Sequence, residues 1–236
     1  MALTKLILFD IDGTLVDAGD LSRSSFLHVV GHYAGVQATL DGYSLSGKTD
    51  PQIMRELLLA NGLSSERAGL VLSDALEAYQ SHYLANLRAD TVRPLDGAVE
   101  LIERLTAAGR TRLLVGLLSG NLRGLVAPKL QVAGISPSRF VVGAFGSDSA
   151  DRNELPAIAV ENAERHCGVR LGPEDVVIVG DTPLDVGCAQ WFGAASVAVA
   201  TGDFSCTQLE QAQPTCVVPS LRMWSEVERT LGLAAV

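Results

Sequence analysis

Short runs of mostly apolar residues alternate with helical patterns along much of the chain. An uninterrupted apolar run bounded by turn residues is typical of a parallel strand that is buried on both faces. Such runs predict five strands, at residues 6–9, 111–118, 139–145, 175–179 and 195–200. The pattern therefore predicts an open parallel sheet of the α/β class.

The gaps between these runs carry apolar residues at helical spacing. Between Asp96 and Gly109, apolar side chains recur every three or four residues, as on the buried face of a helix. Asp96 has the residue type of an N-cap, and Gly109 has that of a helix stop. We expect this helix to form the crossover between two parallel strands.

The strand signal disappears between Asp17 and Arg93, where three helical patterns follow one another. Their apolar positions are Phe26, Val29, Val30 and Tyr33, then Ile53, Met54, Leu57 and Leu58, then Leu72, Leu76, Tyr79 and Tyr83. One strand precedes this segment and four follow it. We therefore predict a Rossmann-like core of residues 1–16 and 94–236 with an all-helical domain, residues 17–93, inserted after the first strand.

Composition and charge exclude several classes of protein. Of the 236 residues, 47% are hydrophobic and 19% are charged, which indicates a folded globular chain. The net charge is −9 and basic residues cluster no further than in pairs, so we expect no nucleic-acid partner. The apolar runs are far shorter than the ~18 residues of a membrane span, and no signal peptide is indicated. These features predict a cytoplasmic protein without membrane contact.

Polar side chains follow three of the predicted strands. The segments are 10–14 (DIDGT), 119–121 (SGN) and 180–185 (GDTPLD). Asp and Gly are also common turn residues after a strand, so any one segment alone would be unremarkable in this position. Ligands of open α/β sheets bind beyond the carboxyl ends of the strands, and we expect the three segments to meet there.

Several carboxylates at one sheet edge repel one another, and this repulsion requires a compensating positive charge. Two carboxylates ~5 Å apart repel by about 3 kcal/mol at an effective dielectric constant of ~20. A divalent cation would remove this repulsion, and oxygen ligands favour Mg²⁺, which also binds substrate phosphate. The sheet edge therefore predicts phosphoryl chemistry with Mg²⁺ as cofactor.

These residues resemble the motifs of the haloacid dehalogenase superfamily. Segment 10–14 matches its first motif, Ser119 its second and segment 180–185 its fourth, in order along the whole chain. The helical insertion is similar to the cap of the branch that contains phosphoglycolate phosphatases and β-phosphoglucomutase. Dehalogenases of the superfamily generally lack an acid at the position of Asp12, and its presence here favours phosphate over halide.

The resemblance also implies roles for individual residues. Asp10 is expected to attack phosphorus, and Asp12 to protonate the leaving oxygen and then activate water. The implied metal site consists of Asp10, Asp12, Asp181 and Asp185. The implied phosphate-binding residues are Thr14, Ser119, Gly120 and Asn121.

The third motif of the superfamily usually contains a lysine, and here the candidate is Arg152. Pro156 indicates that Arg152 lies just before a helix or in its first turn, where it would neutralise the nucleophile and the transferred phosphoryl group. A solvated surface arginine is the ordinary alternative. Lys129 is a rival, but it lies within a probable helix, and we therefore favour Arg152.

One segment matches the motif of a different class of protein. Residues Gly42–Thr49 satisfy the P-loop pattern GxxxxGK[ST], which would predict an ATPase or GTPase. A P-loop follows a buried strand. Here the preceding segment, residues 36–41, is short, is interrupted by polar residues and lies inside the helical insertion. We therefore expect a cap loop in which Lys48 reaches the substrate.

The sequence as a whole predicts a Mg²⁺-dependent phosphatase that hydrolyses a small phosphorylated metabolite through an aspartyl-phosphate. A sugar-phosphate mutase of the same family would use the same aspartates and is an alternative. A phosphonate-cleaving relative would need a cap lysine as Schiff base, and Lys48 keeps that possibility open. We expect a monomer or a small homo-oligomer.

Overall fold

A computed structural model describes residues 5–107 and 113–231 of the chain. The strands are β1 (Lys5–Phe9), β2 (Val16–Asp17), β3 (Arg93–Pro94), β4 (Leu113–Ser119), β5 (Val142–Phe145), β6 (Val176–Gly180), β7 (Ala195–Val199) and β8 (Cys216–Val218). The helices are α1 (Leu21–Ala34), α2 (Asp50–Ala60), α3 (Ser65–Asn86), α4 (Ala98–Leu105), α5 (Arg123–Val132), α6 (Leu155–Cys167), α7 (Pro183–Phe192), α8 (Cys206–Glu210) and α9 (Trp224–Leu231).

Six strands form a parallel sheet in the order β5-β4-β1-β6-β7-β8. Successive residues of the central strand β1 enter different apolar cores: Ile7 and Phe9 pack on one side, and Leu6 and Leu8 on the other. Both faces are covered, which explains why the strands read as continuous apolar runs. The predicted α/β fold is confirmed.

The observed elements differ from the predicted ones at several ends. The crossover helix begins at Ala98, because Gly97 caps it with φ +82°, and the predicted N-cap Asp96 instead pairs with Arg222 at 2.6 Å. The strand predicted at 139–145 begins only at Val142, after a 3₁₀ turn. The predicted helix stop Gly109 and the first two positions of the strand predicted at 111–118 lie outside the described residues.

The helices α1, α2 and α3 pack together as a bundle between β2 and β3. Those two short strands pair in antiparallel fashion and form a ribbon, the hinge ribbon, through which the chain enters and leaves the bundle. Arg93 and Asp17 add an ion pair of 2.7 Å to the ribbon. The apolar core of the bundle also includes Leu122 and Leu125, at the start of α5. The bundle therefore rests directly on the sheet domain.

Two further sequence features concern the membrane and the thiols. Within residues 5–107 and 113–231, none of the helices is long and apolar enough to cross a membrane. The four cysteines are free thiols, and one of them, Cys188, is buried. The cysteines are thus not used as cross-links in this fold.

Candidate active site

A polar cavity of about 460 Å³ lies at the carboxyl edge of the sheet, beneath the helical bundle. Its sheet-side lining includes Asp10, Asp12, Ser119, Asn121, Arg152 and Asp181, and its bundle-side lining includes Arg23, Lys48 and Asp50. The three polar segments that follow β1, β4 and β6 therefore meet, because these strands are neighbours in the sheet. This is the ligand-binding edge of an open α/β sheet.

Three buried carboxylates form a cluster in this cavity. Asp10, Asp181 and Asp185 each offer an oxygen, and these oxygens lie within 4.8 Å of one another. Burial raises the pKa of Asp10 to about 7, although Arg152 acts in the opposite direction. Burial, together with the neighbouring Asp185 and Asp10, also raises the pKa of Asp181. Hard oxygen ligands whose charge is so poorly compensated suit a divalent cation such as Mg²⁺.

The backbone packs closely around Asp181. A Cβ at Gly13, where φ is +78°, would lie 2.2 Å from an oxygen of Asp181, so this turn requires glycine. The hydroxyl of Thr14 donates to the same carboxylate at 3.1 Å. Thr14 does not line the cavity, and the structure differs here from the expectation that it binds phosphate: its hydroxyl orients Asp181.

Asp185 has both of its oxygens engaged by protein groups. One oxygen accepts from the amide and the hydroxyl of Thr182, at 3.0 and 2.7 Å, as part of the capping box that starts α7. The other oxygen accepts from Arg152. Asp185 thus belongs to the acidic cluster, but Asp10 and Asp181 have more freedom to ligate a metal.

Arg152 brings a buried positive charge to the acidic cluster. It lies in a 3₁₀ turn directly before α6, with Pro156 in the first helical turn, as the sequence predicts. Its Nη2 contacts Asp185 and lies 3.4 Å from Asp10 Oδ1. Its Nε is buried and, within the described part of the chain, has no hydrogen-bond partner.

Asp12 is held by Lys129, which the sequence argument placed away from the site. The Lys129 ammonium donates to both oxygens of Asp12, at 2.9 and 2.8 Å, and to Asn121 Oδ1 at 2.8 Å. Asn121 Nδ2 in turn donates to Asp12 at 2.9 Å. Lys129 thus lies in a helix as expected, but its long side chain reaches the sheet edge from α5, while Arg152 remains the cation next to Asp10. Asp12 also differs from expectation, since its carboxylate lies outside the acidic cluster of candidate metal ligands.

The loop after β4 makes the contact between the sheet domain and the bundle. The amide of Asp50 donates to the carbonyl of Gly120 at 2.7 Å, and the amide of Leu122 donates to the Asp50 carboxylate at 2.7 Å. A Cβ at Gly120 would lie 2.1 Å from the Lys48 carbonyl oxygen, so this approach requires glycine. Burial raises the pKa of Asp50 to about 7, while Lys129 acts in the opposite direction. Ser119, also predicted, lies buried beside this loop.

The segment Gly42–Thr49 has contacts that differ from those of a P-loop. Residues 36–41 form no strand, and Lys48 bonds Glu56 at 2.7 Å and lies over the ring of Tyr43. Thr49 caps α2 and donates to the Ala150 carbonyl at 2.7 Å. The backbone amides at the start of α2 therefore already have hydrogen-bond partners. A P-loop would need such amides to bind phosphate, and the contacts thus argue against the nucleotide-binding alternative. Lys48 does line the cavity, from the bundle side.

The sequence argument set aside one residue that the structure brings to the site, Lys129, and did not consider another, Asp50. Lys129 had a recognisable signal: it continues an apolar stripe formed by Leu122, Leu125 and Val126 at helical spacing, where a charged residue needs a buried partner. Asp50 follows Thr49 at the start of α2, as is common in a first helical turn. Nothing in the sequence shows that this turn touches the loop after β4.

Comparisons with known proteins agree with this fold. A family model described as haloacid dehalogenase-like hydrolase matches residues 7–190. Tyrosine-protein kinase PtkA of Mycobacterium tuberculosis is 28% identical over 230 residues, covering 97% of this chain and 73% of that protein. Phosphoglycolate phosphatase 1 of Pseudomonas aeruginosa is 26% identical over 229 residues, covering 93% and 78%. A hydrolase of Pseudomonas syringae has a similar structure, with TM-score 0.66, 18% identity and coverage of 96% and 98%.

Proposed function

We infer that this chain, which belongs to the haloacid dehalogenase-like hydrolase family, is a phosphatase that hydrolyses a small phosphate ester through an aspartyl-phosphate. The observation that carries this inference is the buried group of Asp10, Asp181 and Arg152 beside Asp12 at one cavity. This group of residues joins a nucleophile, candidate metal ligands, a hydrogen-bond donor to the phosphoryl oxygens and a second acid. The similarity to a phosphoglycolate phosphatase supports the same class of substrate.

The reaction we propose has two steps. A carboxylate oxygen of Asp10 attacks phosphorus, the bond to the leaving oxygen breaks, and Asp12 gives its proton to that oxygen. Water then attacks the phosphorus of the aspartyl-phosphate while Asp12 takes a proton from it, which releases phosphate and restores Asp10. Throughout, Arg152 and the hydroxyl of Ser119 hold the phosphoryl oxygens.

Asp10 and Asp181 would hold a Mg²⁺ ion, with Asp185 beside them. The ion would supply charge neutralisation at the phosphoryl oxygens and allow the anionic nucleophile to approach an anionic substrate. Thr14 and the glycine turn at Gly13 keep the Asp181 carboxylate oriented for this task. Asp185 keeps Arg152 in place through their ion pair.

Residues 17–93 act as a cap in this proposal, with residues 1–16 and 94–236 as the catalytic core. The bundle covers the cavity and contacts the core through the loop after β4. The hinge ribbon is the segment about which the cap would open to admit substrate. Lys48 and Arg23 line the cavity from the cap and would face the non-reacting part of the ester.

The test is a phosphate-release screen over a panel of phosphorylated metabolites, with Mg²⁺ and with EDTA. We expect Mg²⁺-dependent release from at least one ester, and its absence across the panel would contradict the proposal. The same screen separates a sugar-phosphate mutase, which would convert its substrate with little release of phosphate and require a bisphosphate activator. The Asp10→Asn variant, which lacks the proposed nucleophile, gives the background rate of phosphate release.

A further inference from the structure

We propose that Lys129 is a positioning residue, which fixes the carboxylate of Asp12 in the orientation that proton transfer to the leaving oxygen requires. This inference rests on the proposed function. It concerns a cation that is fully buried in α5 and that nothing in the reaction scheme above uses.

The geometry around Lys129 shows why its effect must pass through Asp12. Asp12 and Asn121 line the cavity, whereas Lys129 does not. The side chain of Lys129 is 0% exposed, while that of Asp12 keeps 34% of its surface exposed. The ammonium therefore lies behind Asp12 as seen from the cavity and cannot touch a substrate.

The contacts restrain Asp12 more tightly than a single ion pair would. Lys129 donates to both of its oxygens, and Asn121 donates to one of them and accepts from Lys129. The three side chains form a closed triangle, so the carboxylate cannot rotate without breaking several hydrogen bonds. A general acid must be held within hydrogen-bond reach of the leaving oxygen, and this triangle provides that restraint.

Groups from both domains hold the ammonium itself. On the core side it is bonded to Asp12 and Asn121, and on the cap side the ring of Tyr83 in α3 lies 5.0 Å from it. A buried lysine costs a large desolvation energy, which is offset only by partners of this kind. An apolar residue in the stripe of α5 would avoid that cost, so a role through Asp12 explains the lysine.

The experiment compares two substrates whose leaving groups differ in their need for a proton. Nitrophenolate leaves p-nitrophenyl phosphate readily without protonation, whereas phenyl phosphate depends more on the acid. We expect Lys129→Met to lower kcat for phenyl phosphate by about 10²-fold, within the range of general acid catalysis, and for p-nitrophenyl phosphate far less. KM should change little for either ester.

A double mutant and a control complete the test. Asp12→Asn should show the same dependence on leaving group, and Asp12→Asn with Lys129→Met should be no slower than Asp12→Asn alone. The control is Lys5→Met in β1, which removes another lysine–aspartate pair, a partly buried one at 3.5 Å from Asp175 and away from the cavity, and should leave both rates unchanged. If Lys129→Met fails to fold, the double mutant, which removes both members of the pair, carries the comparison.

The outcomes separate this inference from the proposed function. Equal losses on both esters, multiplicative effects in the double mutant, or failure of both Lys129 variants to fold would overturn the positioning role and leave a structural one. A further contrary result is the expected dependence on the leaving group in Asp12→Asn together with the wild-type kcat on both esters in Lys129→Met. That result would overturn the positioning role of Lys129, and the phosphatase proposal would stand. A wild-type enzyme without Mg²⁺-dependent turnover of any ester would overturn both.

Discussion

In the proposed reaction, Asp10 combines the nucleophile and a candidate metal ligand in one buried carboxylate. We expect Asp10→Asn to abolish phosphate release, because the amide oxygen is a poor nucleophile and the charge for the cation is lost. The fold should be kept, since the side chain hardly changes in volume and a costly buried charge is removed.

The measurement is phosphate release together with circular dichroism, and wild-type protein quenched during turnover should carry a phosphoryl group on the peptide with Asp10. A folded Asn variant with more than a few per cent of the wild-type rate would refute covalent catalysis by Asp10.

Arg152 is expected to act on the charge of the transferred group. Arg152→Ala should lower kcat/KM by ~10²- to 10³-fold, because removal of a preorganised donor to the transition state typically costs about 3 to 4 kcal/mol. The matched control is Arg165→Ala in α6, whose exposed side chain lies 3.9 Å from Glu161 and away from the cavity. Steady-state kinetics on one ester suffice, and similar losses in both variants would contradict the role of Arg152.

At the scale of elements, the sequence predicts a strand wherever both faces of that strand are buried. The central strands could be predicted because both of their faces enter apolar cores, which produces uninterrupted runs. The edge strand β8 could not: its three residues, Cys216–Val218, are too few to stand out from a loop. The pairing of β2 with β3 was equally hidden, since each contributes only two residues.

The candidate site likewise contains some contacts that the sequence predicts and others that it does not. Strand ends bring Asp10, Ser119 and Asp181 together, and this follows from the parallel order alone. Lys129 reaches the site across two turns of helix, and Asp50 reaches it across a domain contact. Such contacts depend on how elements pack against one another, and sequence spacing does not contain that information.

The loop before α2 provides a prediction about substrate preference. Lys48 lines the cavity from the cap, so Lys48→Ala should lower kcat/KM for the best metabolite of the screen more than for p-nitrophenyl phosphate. Arg55→Ala, which removes an exposed cation from α2, is the control. The ratio of the two kcat/KM values is the readout. Equal losses would indicate a structural role, and loss of an ATP affinity present in the wild type would revive the P-loop alternative.

At the scale of the whole molecule, the helical bundle and the sheet domain meet through hydrogen bonds as well as apolar contacts. Asp50 bonds Leu122 at the start of α5, Thr49 bonds Ala150, and Ser46 bonds Asp203 at 2.5 Å. The apolar core of the helical bundle extends to Leu125 in α5. The contact therefore combines apolar area with a carboxylate that is expensive to keep charged.

Asp50 makes the stability of this arrangement dependent on pH. Burial raises the pKa of Asp50 from 3.8 to about 7, so the folded protein binds this proton more tightly than the unfolded chain does. The resulting stabilisation is complete below pH 3.8 and is lost as the pH rises towards 7, by at most about 4 kcal/mol. Asp50→Asn keeps an acceptor for the Leu122 amide and removes the ionisation.

We therefore expect Asp50→Asn to gain stability relative to wild type as the pH rises from about 4 to 7, with a constant difference above pH 7. Urea unfolding at several pH values in EDTA measures this difference, and the titration of acids that do not interact with Asp50 cancels because both proteins contain them. Asp74→Asn, an exposed change in α3, should give a flat difference. If the Asp50 difference is also flat, the Asp50 carboxylate is already ionised in the folded protein, and the electrostatic attraction of Lys129 outweighs the effect of burial on its pKa.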